Sequence, residues 1–145
     1  MKVTLRDIWV ATQTFNKVFS YSSFEGKTAY AMARRSRVIT QQSEDIDKAR
    51  LAFIREFAQM DDKGEMVTID NQVQFTSKSG FEDKFNAFLA DEVELDLWPI
   101  KYPEIEGMTD VVETVDEKAK TRTASHYLTP FEIGLLIPFM TELPD

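Results

Sequence analysis

Apolar positions near the start of the chain fall at spacings of three and four. Leu5, Ile8, Trp9, Thr12, Phe15 and Phe19 make one stripe across residues 4–20, the pattern of an amphipathic helix. Thr4, with Asp7 three positions later, reads as a capping box, and the carboxylate suits the positive start of a helix. SYSSFEG at 20–26 has loop composition, and helical spacing resumes near Lys27 and can run to Met60. The better-patterned half carries Ile46, Ala49, Phe53, Phe57 and Met60 on one face, whereas KTAYAMARRSRV offers helix formers but few large apolar groups. TQQSED at 40–45 is the weak point, where Ser43 could cap a fresh helix. Unbroken, this helix is about 50 Å long at about 1.5 Å per residue, and packed on the first it makes a helical hairpin.

The period then changes from helical to alternating. Val67 and Ile69 on one side of Asp70-Asn71, and Val73 and Phe75 on the other, predict a short β-hairpin, with Gly64 ending the helix before it. A third helix is expected over 80–91, with Ser79 and Glu82 as its capping box and Phe81, Phe85, Phe88 and Leu89 as its stripe. In EVELDLWPIKYP, residues 92–103, Val93, Leu95 and Leu97 alternate with Glu94 and Asp96 as in a half-buried strand. Pro99 removes a donor and fits a sheet edge or a strand end. Residues 107–126 are polar and threonine-rich and suit a second hairpin or a mobile insertion. LTPFEIGLLIPFM closes the pattern with Thr129 as N-cap, Pro130 at the first helical position and Glu132 completing a capping box. Phe131, Leu135 and Leu136 are expected to be buried there, and Pro138 should end or kink the helix. The fold class expected is α+β: a helical hairpin or small bundle with a small antiparallel sheet, as one domain over 1–145.

Seventeen aromatic residues (11 Phe, 4 Tyr, 2 Trp) in a chain of 145 supply enough apolar area for a real core. With no cysteine there is no disulfide, thiolate metal site or cysteine nucleophile. MKVTLRDIWVATQTF is interrupted by polar residues too early for a signal peptide, and no window approaches the roughly 18 apolar residues of a membrane span. Charge is uneven. Residues 1–60 hold 10 Lys and Arg against 6 Asp and Glu, residues 61–117 hold 4 against 16, and residues 118–145 hold 3 against 3; the nets, +4, −12 and 0, give −8. An acidic middle repels phosphates and disfavours nucleic acid as a partner, while oppositely charged segments suit contacts within or between subunits.

Little in the sequence carries catalytic chemistry. His126 is the single histidine and has neither triad nor metal partners in its pattern, the acidic clusters lack calcium-loop spacing, and the five glycines make no phosphate loop. No cofactor, no metal and no enzymatic activity are therefore expected; an enzyme would need an arrangement such as Asp91, Glu92 or Glu94 facing Arg34, which no spacing demands. Two candidate contact features stand out. Arg34, Arg35 and Arg37, following Lys27, form a basic run suited either to a solvated helix face or to an acidic protein patch. Trp98, Ile100 and Tyr102 share a parity opposite to Leu95 and Leu97, so a continuous strand would expose all three as a contact patch; a register shift at Pro99 would instead turn them into core.

Three stretches together resemble an uncharacterised family of short bacteriophage proteins: KTAYAMAR at 27–34, FNAFLADEVELD at 85–96 and LTPFEIGLLIPF at 128–139. The likeness spans most of the chain except 107–126 and implies a phage or prophage origin with no catalytic residues to assign. The expected function is that of a non-enzymatic phage structural or assembly-accessory protein acting by protein contacts, in the host cytoplasm or the virion. Its partner would be a second copy of itself or another phage or host protein, with no membrane. The alternative is a soluble inhibitor of a host protein with an acidic, nucleic-acid-mimicking face.

Overall fold

The computed structural model describes residues 1–21, 24–109 and 111–144, and of residues 111–116 and 121–126 the backbone alone. In chain order the elements are β1 (Lys2–Thr4), α1 (Leu5–Phe19), α2 (Gly26–Phe57), β2 (Thr68–Ile69), β3 (Gln72–Val73), α3 (Lys78–Leu89), β4 (Glu92–Glu94), β5 (Ile100–Lys101), α4 (Tyr102–Ile105), β6 (Val111–Asp116), β7 (Thr121–His126), α5 (Pro130–Leu136) and β8 (Met140–Thr141), with 3-10 turns at Glu106–Met108 and Ile137–Phe139. The architecture is α+β.

Thr4 starts α1 as its spacing predicts. Its hydroxyl accepts the Asp7 N–H at 3.1 Å while the Asp7 carboxylate accepts the Thr4 N–H at 2.9 Å. Helix α2 runs unbroken for 32 residues, about 48 Å at about 1.5 Å per residue. TQQSED does not interrupt it, because Ile39 and Ile46 on either side are buried against the core and Ser43 is a neighbour of α1, its Oγ 2.8 Å from Thr12 Oγ1. Burial overrides weak local propensity here. The helix stops at Phe57 and not at Met60, since Ala58 is already extended and bridges to Phe75, leaving Met60 exposed and paired with Met66. Helices α1 and α2 pack as an antiparallel hairpin, and α3 runs back along the end of α2 through contacts of Phe85 and Phe88 with Phe53.

Helix α3 begins two residues before the expected start. Its cap is Ser77, whose Oγ accepts the Gly80 N–H at 3.1 Å, and not Ser79. Gly80 explains the choice: a Cβ there would lie 2.9 Å from Phe57 Cε1, so only glycine lets the first turn of α3 approach the end of α2 this closely. Lys84 pairs with Glu56 across the same junction.

Among the described residues the strands form four separate two-stranded ladders and not one small sheet. β1 pairs antiparallel with β4, with Val3 opposite Val93. β2 and β3 form the expected hairpin around Asp70 and Asn71, both at positive φ (51° and 62°), a two-residue turn these side chains tolerate without glycine. β5 pairs in parallel with β8, Ile100 opposite Met140. β6 and β7 form an antiparallel hairpin over 111–126 whose base is closed by the Leu128 N–H donating to Met108 O at 2.9 Å. The side chain of His126 lies outside the described residues.

The core centres on the buried face of α1, where Ile8, Ala11, Phe15 and Val18 meet Ile100, Ile105, Leu136 and Phe139. Phe131 is a correction: it is 76% exposed, because it lies five positions before the buried Leu136, about 140° around the helix at about 100° per residue. Pro138 ends α5 at Leu136 as expected, and the chain tightens into the 3-10 turn that inserts Phe139.

Glu132 both completes the cap of α5, accepting the Thr129 N–H at 3.0 Å, and meets Lys17 of α1 at 3.1 Å. The Thr129 amide and, less strongly, Lys17 hold its carboxyl below the usual carboxylate range, against the opposing effect of partial burial. A carboxyl depressed in the folded state stabilises fully above its unfolded value of about 4.3 and loses that contribution as pH falls through the lower folded value. Glu132→Gln should therefore cost about 1 kcal/mol at neutral pH, and the gap from the parent should close in acid, as read by denaturant melts across pH.

Candidate protein-contact groove

Where β4 ends and β5 begins, the carbonyls of Trp98 and Pro99 lie between ladders and need donors from elsewhere. Arg35 supplies them. Residing on α2 and only 5% exposed, it donates Nε–H to Trp98 O at 2.9 Å and Nη2–H to Pro99 O at 2.8 Å. The same guanidinium grips Glu104 with both branches, Nη1 to Oε1 at 3.2 Å and Nη2 to Oε2 at 3.1 Å, and its Nη1 also lies 3.6 Å from Met32 Sδ. Four of its five N–H groups are thereby engaged in hydrogen bonds, and the ion pair to Glu104 Oε2 adds to them. Glu104 in turn accepts the Lys101 N–H at 2.8 Å. One buried cation thus fastens residues 98–104 to α2 as a fixed arm, by the bidentate geometry that arginine alone provides.

The arm and α2 enclose a groove of about 820 Å³. Tyr30 and Trp98, each 64% exposed, are its rings; Pro99 and Ala31 add apolar wall, and Lys27 and Lys101 stand at the rim. Arg34 lies with its guanidinium carbon 5.1 Å from the Trp98 ring centroid, a cation–π contact that orients the indole. Among the charged lining residues Arg35 and Glu104 neutralise each other, which leaves the two lysines and a positive rim on a chain of net charge −8. Lys101 is partly offset by an exposed pair with Glu142 at 3.3 Å.

The structure divides the residues expected to make contacts. Arg34 and Trp98 come together beside the groove, which Trp98 lines and Arg34 does not. Arg35 is not a surface cation but an interior clamp, and Ile100 is fully buried, paired with Met140. Tyr102 is half-buried, with its hydroxyl 3.5 Å from Thr109 Oγ1. The register shift at Pro99 therefore removes Ile100 and most of Tyr102 from the expected exposed face. Arg37 is exposed beside a separate cavity of about 490 Å³ that Phe19, Tyr21 and Phe24 also line. Tyr30 and Glu104 escaped sequence reasoning; Tyr30 stands four residues before Arg34, a spacing that places the two on one helix face.

Asp91, Glu92 and Glu94 are exposed at and beside β4, while Arg34 serves the Trp98 ring, so the acid–base arrangement an enzyme would need is not assembled from them. Among the described residues no three His, Asp or Glu side chains gather as a metal site, and no helix is long and apolar enough to cross a membrane. Comparison with family models, curated proteins and solved structures finds no match to this chain.

Proposed function

We propose that this chain works through protein contacts at the Trp98 groove, as a non-enzymatic structural or assembly-accessory protein of a bacteriophage. The carrying observation is a largely exposed tryptophan whose ring is stacked by Arg34 and whose backbone is locked by Arg35. Tryptophan, tyrosine and arginine are the residues that dominate binding energy at interfaces, and a ring already fixed in place loses little entropy on docking. A small-molecule site would need polar anchors converging on the ligand, whereas the buried polar pair here saturates itself and the backbone. The phage assignment rests on the sequence resemblance, and the first stretch that carries it, 27–34, furnishes the helical wall of this groove.

A second reading, inhibition of a host protein through an acidic surface, draws on the exposed Asp61, Asp62, Glu65 and Asp70 around β2 and β3. The two readings separate in one experiment: tagged parent, Trp98→Ala and an Asp61/Asp62/Asp70→Asn triple variant are compared for the proteins each retains from the cells that produce it. Trp98→Ala is expected to weaken retention about 30-fold or more, the effect of losing an interface hot spot, with its thermal midpoint nearly unchanged. Retention that survives Trp98→Ala but falls in the triple variant would transfer the function to the acidic end; retention unaffected by either overturns both.

A further inference from the structure

The two ends of α2 carry opposite chemistry. Near its start lies the positive, aromatic groove of Tyr30 and Trp98. Beyond Phe57, about 48 Å along the axis at about 1.5 Å per residue, the chain continues as an antiparallel extension through β2 and β3. That extension is acidic: residues 59–73 hold Asp61, Asp62, Glu65 and Asp70 against Lys63, a net of −3. It is also set rigidly, since Asp61 Oδ1 accepts the N–H groups of both Lys63 and Glu65 at 2.9 Å, and Asp70-Asn71 makes a tight turn. At its tip Ile69 is 58% exposed and immediately precedes the exposed Asp70 of the turn.

We propose that this acidic tip is the occupant of the groove: the β2–β3 end of one copy seats in the Trp98 groove of a second, joining copies head to tail. The inference rests on the reading of the groove as a protein-contact site and names its partner. Complementarity favours it on two counts. An exposed aliphatic residue followed by an aspartate matches two exposed rings with lysines at the rim, and that rim attracts an acidic segment. Because the two surfaces differ and sit at opposite ends of one long helix, each copy retains one free groove and one free tip. The contact is heterologous and propagates into an open chain or closes into a ring. The net charge of −8 repels copies at long range, so association should be strongest near about 0.1 M salt, where the screening length of about 10 Å hides the distant charges and spares those in contact.

The test is sedimentation velocity at that salt, from micromolar to near-millimolar chain. The parent should pass beyond a dimer as concentration rises. Trp98→Ala, which lacks a working groove, and Ile69→Asp, which lacks a working tip, should each remain monomeric. Their equimolar mixture should form a dimer and stop there, because it holds one intact groove and one intact tip per pair. Circular dichroism melts verify folding, and Tyr30→Ala with Met60→Glu replace either variant that fails to fold. A parent that stays monomeric throughout overturns the second copy as partner while leaving Trp98-dependent retention of a different protein standing. Assembly that persists in both single variants, or a mixture that remains monomeric, shows that these two surfaces do not meet.

Discussion

Arg35→Ala is expected to lower the thermal midpoint by about 10 °C, the counterpart of about 3–5 kcal/mol in a chain of this length. The size follows from what the guanidinium leaves behind. Its removal leaves a largely buried Glu104 carboxylate without its cation, held only by the Lys101 N–H, and takes the side-chain donor from the carbonyls of Trp98 and Pro99. Arg35→Lys should recover little, since one ammonium cannot span two carbonyls and a carboxylate held in fork geometry. Pairing Arg35→Met with Glu104→Gln should cost clearly less than the two single changes summed, because the double variant buries no unpaired charge. Hydrogen exchange gives the local counterpart: amides over 98–104 should open in Arg35→Ala while those in the middle of α1 keep their rank. A cost under about 1 kcal/mol would mean that the arm is held by Ile100 and Ile105 alone and that the clamp is incidental.

That clamp marks the boundary of what the sequence discloses. Local signals were legible: Thr4 with Asp7 and Thr129 with Glu132 make the capping boxes their spacing predicts, and the helix ended by Pro138 stops where the missing N–H requires. The burial of Leu95 and Leu97 against exposed Glu94 and Asp96 follows the expected alternation, although the strand itself stops at Glu94. Legibility failed wherever a distant segment decided. Arg34 and Arg35 look equivalent in sequence, yet one turns outward to Trp98 and the other inward, according to where residues 98–104 lie. Trp98 and Ile100 share a parity that means one face only within a continuous strand; with Pro99 between them, Ile100 leaves β4 behind and pairs with Met140, nearly at the other end of the chain. Ser79 looks like the cap because Glu82 follows three positions later, yet the helix starts from Ser77, with Gly80 fitted against Phe57. The groove was half visible for the same reason: Lys27 and Trp98 stood out by type, Arg35 stood out as a surface cation and not as a clamp, and Tyr30 and Glu104 did not stand out.

Phe139→Ala should cost about 3–5 kcal/mol and Phe131→Ala less than about 0.5 kcal/mol, although both phenylalanines sit in the same short closing segment. Phe139 is fully buried, its ring centroid 4.8 Å from that of Phe15 at an interplanar angle of 79°, the edge-to-face arrangement aromatic pairs favour. It also immediately precedes Met140, whose pairing with Ile100 attaches the closing strand to the arm, so the cavity left by alanine would open at the point where α1, α5 and β5 converge. Phe131 makes no comparable burial, and α5 is retained without it by the Thr129 cap and the Glu132–Lys17 pair. Urea melts decide the matter, provided the slope with denaturant is unchanged, since only then does a midpoint shift report stability. Equal costs at the two positions would require α5 to be turned by about 140°, with Phe131 facing α1 in place of Leu136. The Phe15 contact, the Lys17 pair and the parallel β5–β8 ladder would then be lost together, and with them the fixed arm on which the groove depends.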